Sequence, residues 1–137
     1  MLVIDASITI AWIIPDEQHE HAIRVRDRVL AEGAIVPSVW TLEVANILIM
    51  AERRNRMSAE SVTQALAILQ DVPIDVRPGS LKDDLTLVAS AARDNKLTAY
   101  DAAYLTLARA EGLELATLDS DLEKAAERLG IRVLSRA

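Results

Sequence analysis

Short apolar runs alternate along this chain with longer amphipathic stretches, and helix-capping residues, Gly and Pro separate them. Leu2-Val3-Ile4 predicts a buried strand ending at Asp5, followed by an apolar segment from Ile8 to Ile14 that stops at Pro15. Asp16 is placed to cap a helix over about Glu17 to Ala31, closed by Gly33. Ala34-Ile35-Val36 predicts a second strand halted by Pro37, and Ser38 caps a helix from about Val39 to Arg54. Ser58 caps a further helix to about Asp71, and Ile74-Asp75-Val76 predicts a third strand. Ser80 with Asp83, and Thr98 with Asp101, have capping-box spacing; their helices end near Asn95 and at Gly112. Leu113 to Ala116 predicts a fourth strand, Asp119 opens a helix ending at Gly130, and Ile131 to Leu134 predicts a fifth strand. Strands alternating with helices imply an α/β fold, a parallel sheet with helices on both faces.

The 137 residues fit one domain over residues 1–137. With 51% hydrophobic residues and no Phe, the core is expected to be aliphatic. Without Cys there are no disulfides, no thiol catalysis and no Cys-ligated zinc. No apolar run is long enough to span a bilayer, and no basic segment precedes Leu2 as in a signal peptide, so a cytoplasmic location is expected. The Gly residues at 33, 79, 112 and 130 are isolated, so no Gly-rich phosphate loop can form and nucleotide cofactors are not expected. The formal net charge of −6 argues against a simple electrostatic nucleic-acid binder. It is compatible with a metal-dependent nuclease, which must gather carboxylates.

Ligands of an open parallel sheet bind beyond the carboxyl ends of its strands. Asp5 stands at the end of the first predicted strand and Asp119 just past the end of the fourth, so both lie on one edge. Taken singly, each reads first as a turn or cap residue. Glu43 interrupts a helix that is apolar nearly all round, and a buried carboxylate needs a partner or a metal. The competing reading is a solvated stripe shared with Asn46. Asp101 is either only the capping-box acid of Thr98 or a carboxylate aimed along the strand ends.

Taken together, Val3-Ile4-Asp5-Ala6-Ser7, Leu42-Glu43-Val44-Ala45-Asn46, Tyr100-Asp101-Ala102-Ala103-Tyr104 and Ala116-Thr117-Leu118-Asp119 resemble the acidic motifs of PIN-domain ribonucleases. The similarity is greatest to the VapC-type toxins of toxin–antitoxin pairs, and it runs through the whole chain in order and spacing. The resemblance implies a five-stranded parallel sheet of order 3-2-1-4-5. It implies Mg²⁺ or Mn²⁺ held by Asp5, Glu43, Asp101 and Asp119, with Asp121 as an auxiliary ligand. By the same resemblance Ser7 and Thr117 hold metal-bound water, Asn46 orients Glu43, and RNA is cut to a 5′-phosphate and a 3′-hydroxyl. Rival readings fit less well. A receiver-type phosphotransfer domain needs a Lys after its fifth strand, where this chain has Leu134-Ser135, and a dehalogenase-type phosphatase needs a second Asp where Ser7 stands. A non-catalytic module on the same fold stays an alternative, although such a module is expected to have lost one or more of the acids.

The resemblance also implies an antitoxin that wraps the protein, and a homodimer; the Ala-rich helices after Ser80 and Thr98, whose small side chains permit close approach, are the expected contact. Independently, the apolar segment Ile8 to Ile14 and the helix around Trp40 to Met50 carry more apolar surface than one sheet face can bury. Either neighbouring helices cover the excess, or a groove near Trp12 and Trp40 receives an amphipathic helix of that antitoxin. His19, His21, Arg24, Arg26 and Arg28 fall in a polar stretch and are expected to be solvated, and Arg53, Arg54 and Arg56 complement a helix C-terminus.

Overall fold

The computed structural model describes residues 1–14, 19–134 and 136. The predicted cap at Asp16 and helix start at Glu17 lie outside them. β1 (Leu2–Ile4) leads into α1 (Ala6–Ile13), the helix formed by the first apolar segment. α2 (Glu20–Glu32) begins at His19, whose ring accepts from the His21 amide, and ends at Gly33. Gly33 has φ +81, a backbone conformation that a side chain at this site would strain. β2 (Ala34–Pro37), α3 (Val39–Arg53), α4 (Ala59–Gln70) and β3 (Ile74–Arg77) follow. Ser58 and Thr98 cap their helices as predicted, their side chains accepting from the amides of Ser61 and Asp101. Ser38 sits at its cap position without a side-chain cap bond.

The predicted helix after Ser80 is not uniform. α5 (Leu81–Asp83) runs through a π-helical stretch, Asp84–Val88, into α6 (Ala89–Asn95). α7 (Ala99–Glu111), β4 (Leu115–Ala116) and α8 (Ser120–Arg128) complete the order. No helix among the described residues is long and apolar enough to cross a membrane.

The sheet is parallel with order β3-β2-β1-β4. Register pairs Val3 with both Ile35 and Leu115, which makes β1 a central strand. Successive strand residues point to opposite faces, yet Leu2, Val3 and Ile4 are all fully buried, so both faces are covered.

Among the described residues the expected five strands become four. Beyond β4 only Val133 bridges to Leu115, flanked by bonds from the Leu115 amide to Arg132 and from the Leu134 amide to Leu115. β4 is itself two residues long and offers an edge for one bridge rather than a ladder.

Candidate active site

The topology brings the carboxyl ends of β1 and β4 side by side, with the Asp5 amide donating to the Ala116 carbonyl. Asp5 caps α1 and is only 5% exposed. Its Oδ1 accepts from Ser7 Oγ at 2.6 Å and from the Ile8 amide at 3.2 Å, and its Oδ2 accepts from Thr117 Oγ1. The β4 side is tied in reciprocally, because the Leu118 amide donates to Ser7 Oγ and the Asp119 amide to Thr117 Oγ1. Ser7 and Thr117 are therefore braces of Asp5. A carboxylate receiving three donors is fixed in place, but burial still dominates and raises its pKa from 3.8 to about 6, with Asp119 adding like-charge repulsion.

Glu43 on α3 is half-buried and accepts from the Tyr104 hydroxyl at 2.6 Å. Burial raises its pKa, the Tyr104 bond opposes that, and Asp101 adds to it. Asp101 in the first turn of α7 is raised by burial and by Asp119. Repulsion thus connects Asp5 to Asp119, Asp119 to Asp101 and Asp101 to Glu43, and the four predicted acids form one electrostatic unit. Asp119 also does what a cap does, its Oδ1 accepting from the amides of Asp121 and Leu122. Asp121 is exposed beside it.

Two expectations are revised by the geometry. The described partner of Glu43 is Tyr104 rather than Asn46, which is exposed. Tyr104 stands three residues after Asp101 on the same helical face, a spacing that could have marked it, but a lone Tyr on an apolar helix reads as core. Second, Trp40 is buried and its indole donates to Thr9 Oγ1 at 3.0 Å, while the Trp12 indole donates to the Ala22 carbonyl at 2.7 Å. α2 packs on α1 and α4 on α3, while Leu42 of α3 stays exposed. Exposed apolar surface lies instead along a cleft of about 450 Å³ between the end of β2, the π-helical stretch and α7.

The fold and the acid cluster define a PIN domain: the family model matches residues 2–128, and the chain belongs to that family. Over 121 residues it is 31% identical to Ribonuclease VapC3 of Pyrobaculum aerophilum, an alignment that covers 88% of this chain and 91% of the relative. It is therefore a homologue of a VapC ribonuclease. Among solved structures, FitAcB of Neisseria gonorrhoeae matches with TM-score 0.69 at 14% identity, covering 98% of this chain and 97% of that one. VapC20 of Mycobacterium tuberculosis, a sarcin-ricin loop cleaving toxin, matches with TM-score 0.65 at 17% identity, covering 91% and 95%. At these identities the structural likeness shows a shared fold.

Such a family implies a divalent cation, and the donors suit a hard one, since all are carboxylate oxygens. Among the described residues no three Asp, Glu or His converge closely enough to enclose an ion directly. In general a hydrated hard cation takes one or two carboxylates directly and leaves others to hold its water.

Proposed function

We propose that the protein is a Mg²⁺- or Mn²⁺-dependent endoribonuclease, the toxin of a cytoplasmic toxin–antitoxin pair. The observation that carries this reading is the coupled cluster of four acids around a braced, buried Asp5. Asp5, Asp101 and Asp119 would hold the cation, which supplies an activated water and charge stabilisation at the phosphate. Glu43 completes the set. Tyr104 fixes its Oε1, and burial raises its pKa, which makes it a stronger proton acceptor than a solvated carboxylate. The products are a 5′-phosphate and a 3′-hydroxyl. Two partners belong to this reading: an antitoxin that blocks the site with a basic residue, and a second copy of the chain.

The direct test is cleavage of RNA with and without EDTA. Activity should vanish with EDTA, and Asp5→Asn and Asp101→Asn should each reduce the rate by at least about a hundredfold. Wild-type rates in both variants would exclude this site.

A further inference from the structure

The carboxyl edge of the sheet carries cations as well as acids. The parallel bridge between Leu115 and Val133 carries the chain forward to the level of Thr117. There Arg136 Nη2 lies 2.8 Å from Glu123 Oε2 and donates to the Thr117 carbonyl at 3.3 Å. Arg24, on α2, donates from Nη2 to the Arg136 carbonyl at 3.1 Å. Arg136 thus meets Thr117, whose hydroxyl braces Asp5, and Arg24 from a distant part of the chain holds the Arg136 backbone. His21 is buried next to them, with Arg24, Arg136, His19 and Glu123 as the charged groups acting on it. Of the polar stretch expected to be solvated, His19, Arg24 and Arg26 are exposed, and His21 alone is buried.

We propose that Arg136, backed by Arg24, binds a phosphate of the RNA next to the one that is cut. This rests on the ribonuclease reading and adds the substrate-binding group that the four acids cannot supply. A cluster of carboxylates in a chain of net charge −6 repels a polyanion, so a fixed cation at its rim has an evident electrostatic role. Arginine suits it, because its planar fork matches two phosphate oxygens. The Arg136 side chain is 37% exposed, both of its contacts run through Nη2, and a guanidinium carries five N–H donors. Glu123 and the Thr117 carbonyl aim the group rather than consume it.

The test separates this inference from the ribonuclease reading by measuring binding without cleavage. A fluorescently labelled single-stranded RNA oligonucleotide is titrated with the Asp5→Asn protein, alone and combined with Arg136→Gln, Arg136→Lys or Arg24→Gln. Arg136→Gln should weaken binding about tenfold and Arg24→Gln less. The slope of log K against log salt should fall by about 0.7 with Arg136→Gln and stay near the parent value with Arg136→Lys, which keeps the charge. In the cleaving parent, Arg136→Gln should raise KM and leave kcat within about twofold. An unchanged affinity and salt slope would overturn the inference, whether or not RNA is cleaved. A fall in kcat with KM and slope unchanged would also overturn it, by showing that Arg136 only props the Thr117 loop. No RNA binding by the Asp5→Asn protein would overturn it too. Wild-type protein that binds RNA through Arg136 but cuts none would remove the ribonuclease reading and leave this contact standing.

Discussion

Asp5 concentrates the cost of building this site. A carboxyl whose folded pKa lies above its unfolded one holds its proton more tightly when folded, so the folded state loses stability as pH rises from about 4 to about 6. The shift from 3.8 to about 6 in a buried group corresponds to about 3 kcal/mol. In metal-free buffer, the melting temperature of wild type minus that of Asp5→Asn should therefore fall across this window, by about ten degrees in all. Ser7 and Thr117 can rotate their hydroxyls to meet an amide, so the variant should fold. Adding Mg²⁺ should raise the wild-type melting temperature and leave the variant's much less changed, since only a folded site with its full charge binds the ion well. Parallel melting profiles for the two proteins from pH 4 to 7 would show that Asp5 is not strained by its burial. Tyr104 is the second residue to probe. Tyr104→Phe keeps the buried ring and removes one hydrogen bond to a carboxylate. That bond lowers the Glu43 pKa, so its loss should move the acid limb of the kcat profile to higher pH and cut kcat about tenfold. A profile superposing on wild type would reduce Tyr104 to a core residue.

At the scale of elements, α3 shows what patterning can and cannot reveal. Its sequence is apolar nearly all round, which predicts burial on more than one side. In the fold Trp40, Val44, Leu48 and Ala51 form the buried stripe, while Leu42 is 73% exposed. Leu48→Ala should cost about 3 kcal/mol, read from the urea midpoint, and Leu42→Ala less than about 0.5 kcal/mol. Equal costs would mean that α3 is covered on both sides. Caps, by contrast, were legible from short-range chemistry alone: Ser58, Ser80, Thr98 and Asp119 each accept an amide of the first helical turn. Asp5, Asp101 and Asp119 stood out because strand ends and first helical turns put them on one edge, and Glu43 because it interrupts an otherwise apolar helix. The number of strands was not, since Ile131 to Leu134 has strand-like residues but needs a long β4 edge to pair with, and pairing is a property of two segments. Tyr104, Arg24 and Arg136 were hidden for a related reason. Their roles depend on contacts across the chain, and local periodicity assigns each of them an ordinary place.

At the scale of the whole molecule, charge and apolar surface act in opposite directions. The cleft beside α7 exposes Leu85 (69%), Leu87 (58%) and Tyr100 (63%), with Leu81 one turn before Leu85. A patch of large apolar side chains on a small domain marks an interaction surface. Its margin carries Arg77 together with Asp83 and Asp84, so both signs are present and a second copy related by a two-fold axis meets no single-sign field there. The homodimer proposed above should form through this surface. Light scattering should give twice the 15.0 kDa chain mass, and Leu85→Glu should return the protein to a monomer without lowering its melting temperature by more than a few degrees. Salt supplies an independent check. Each copy carries −6, so association works against repulsion that added salt screens, and the dimer should tighten between low and physiological ionic strength. RNA binding through Arg136 should weaken over the same range. A wild-type protein of single-chain mass at tens of micromolar, or one whose mass is unmoved by Leu85→Glu, would place the dimer contact elsewhere or remove it. A Leu85→Glu protein that is monomeric yet binds RNA with the parent affinity would show that the apolar face and the phosphate-binding edge are separate surfaces.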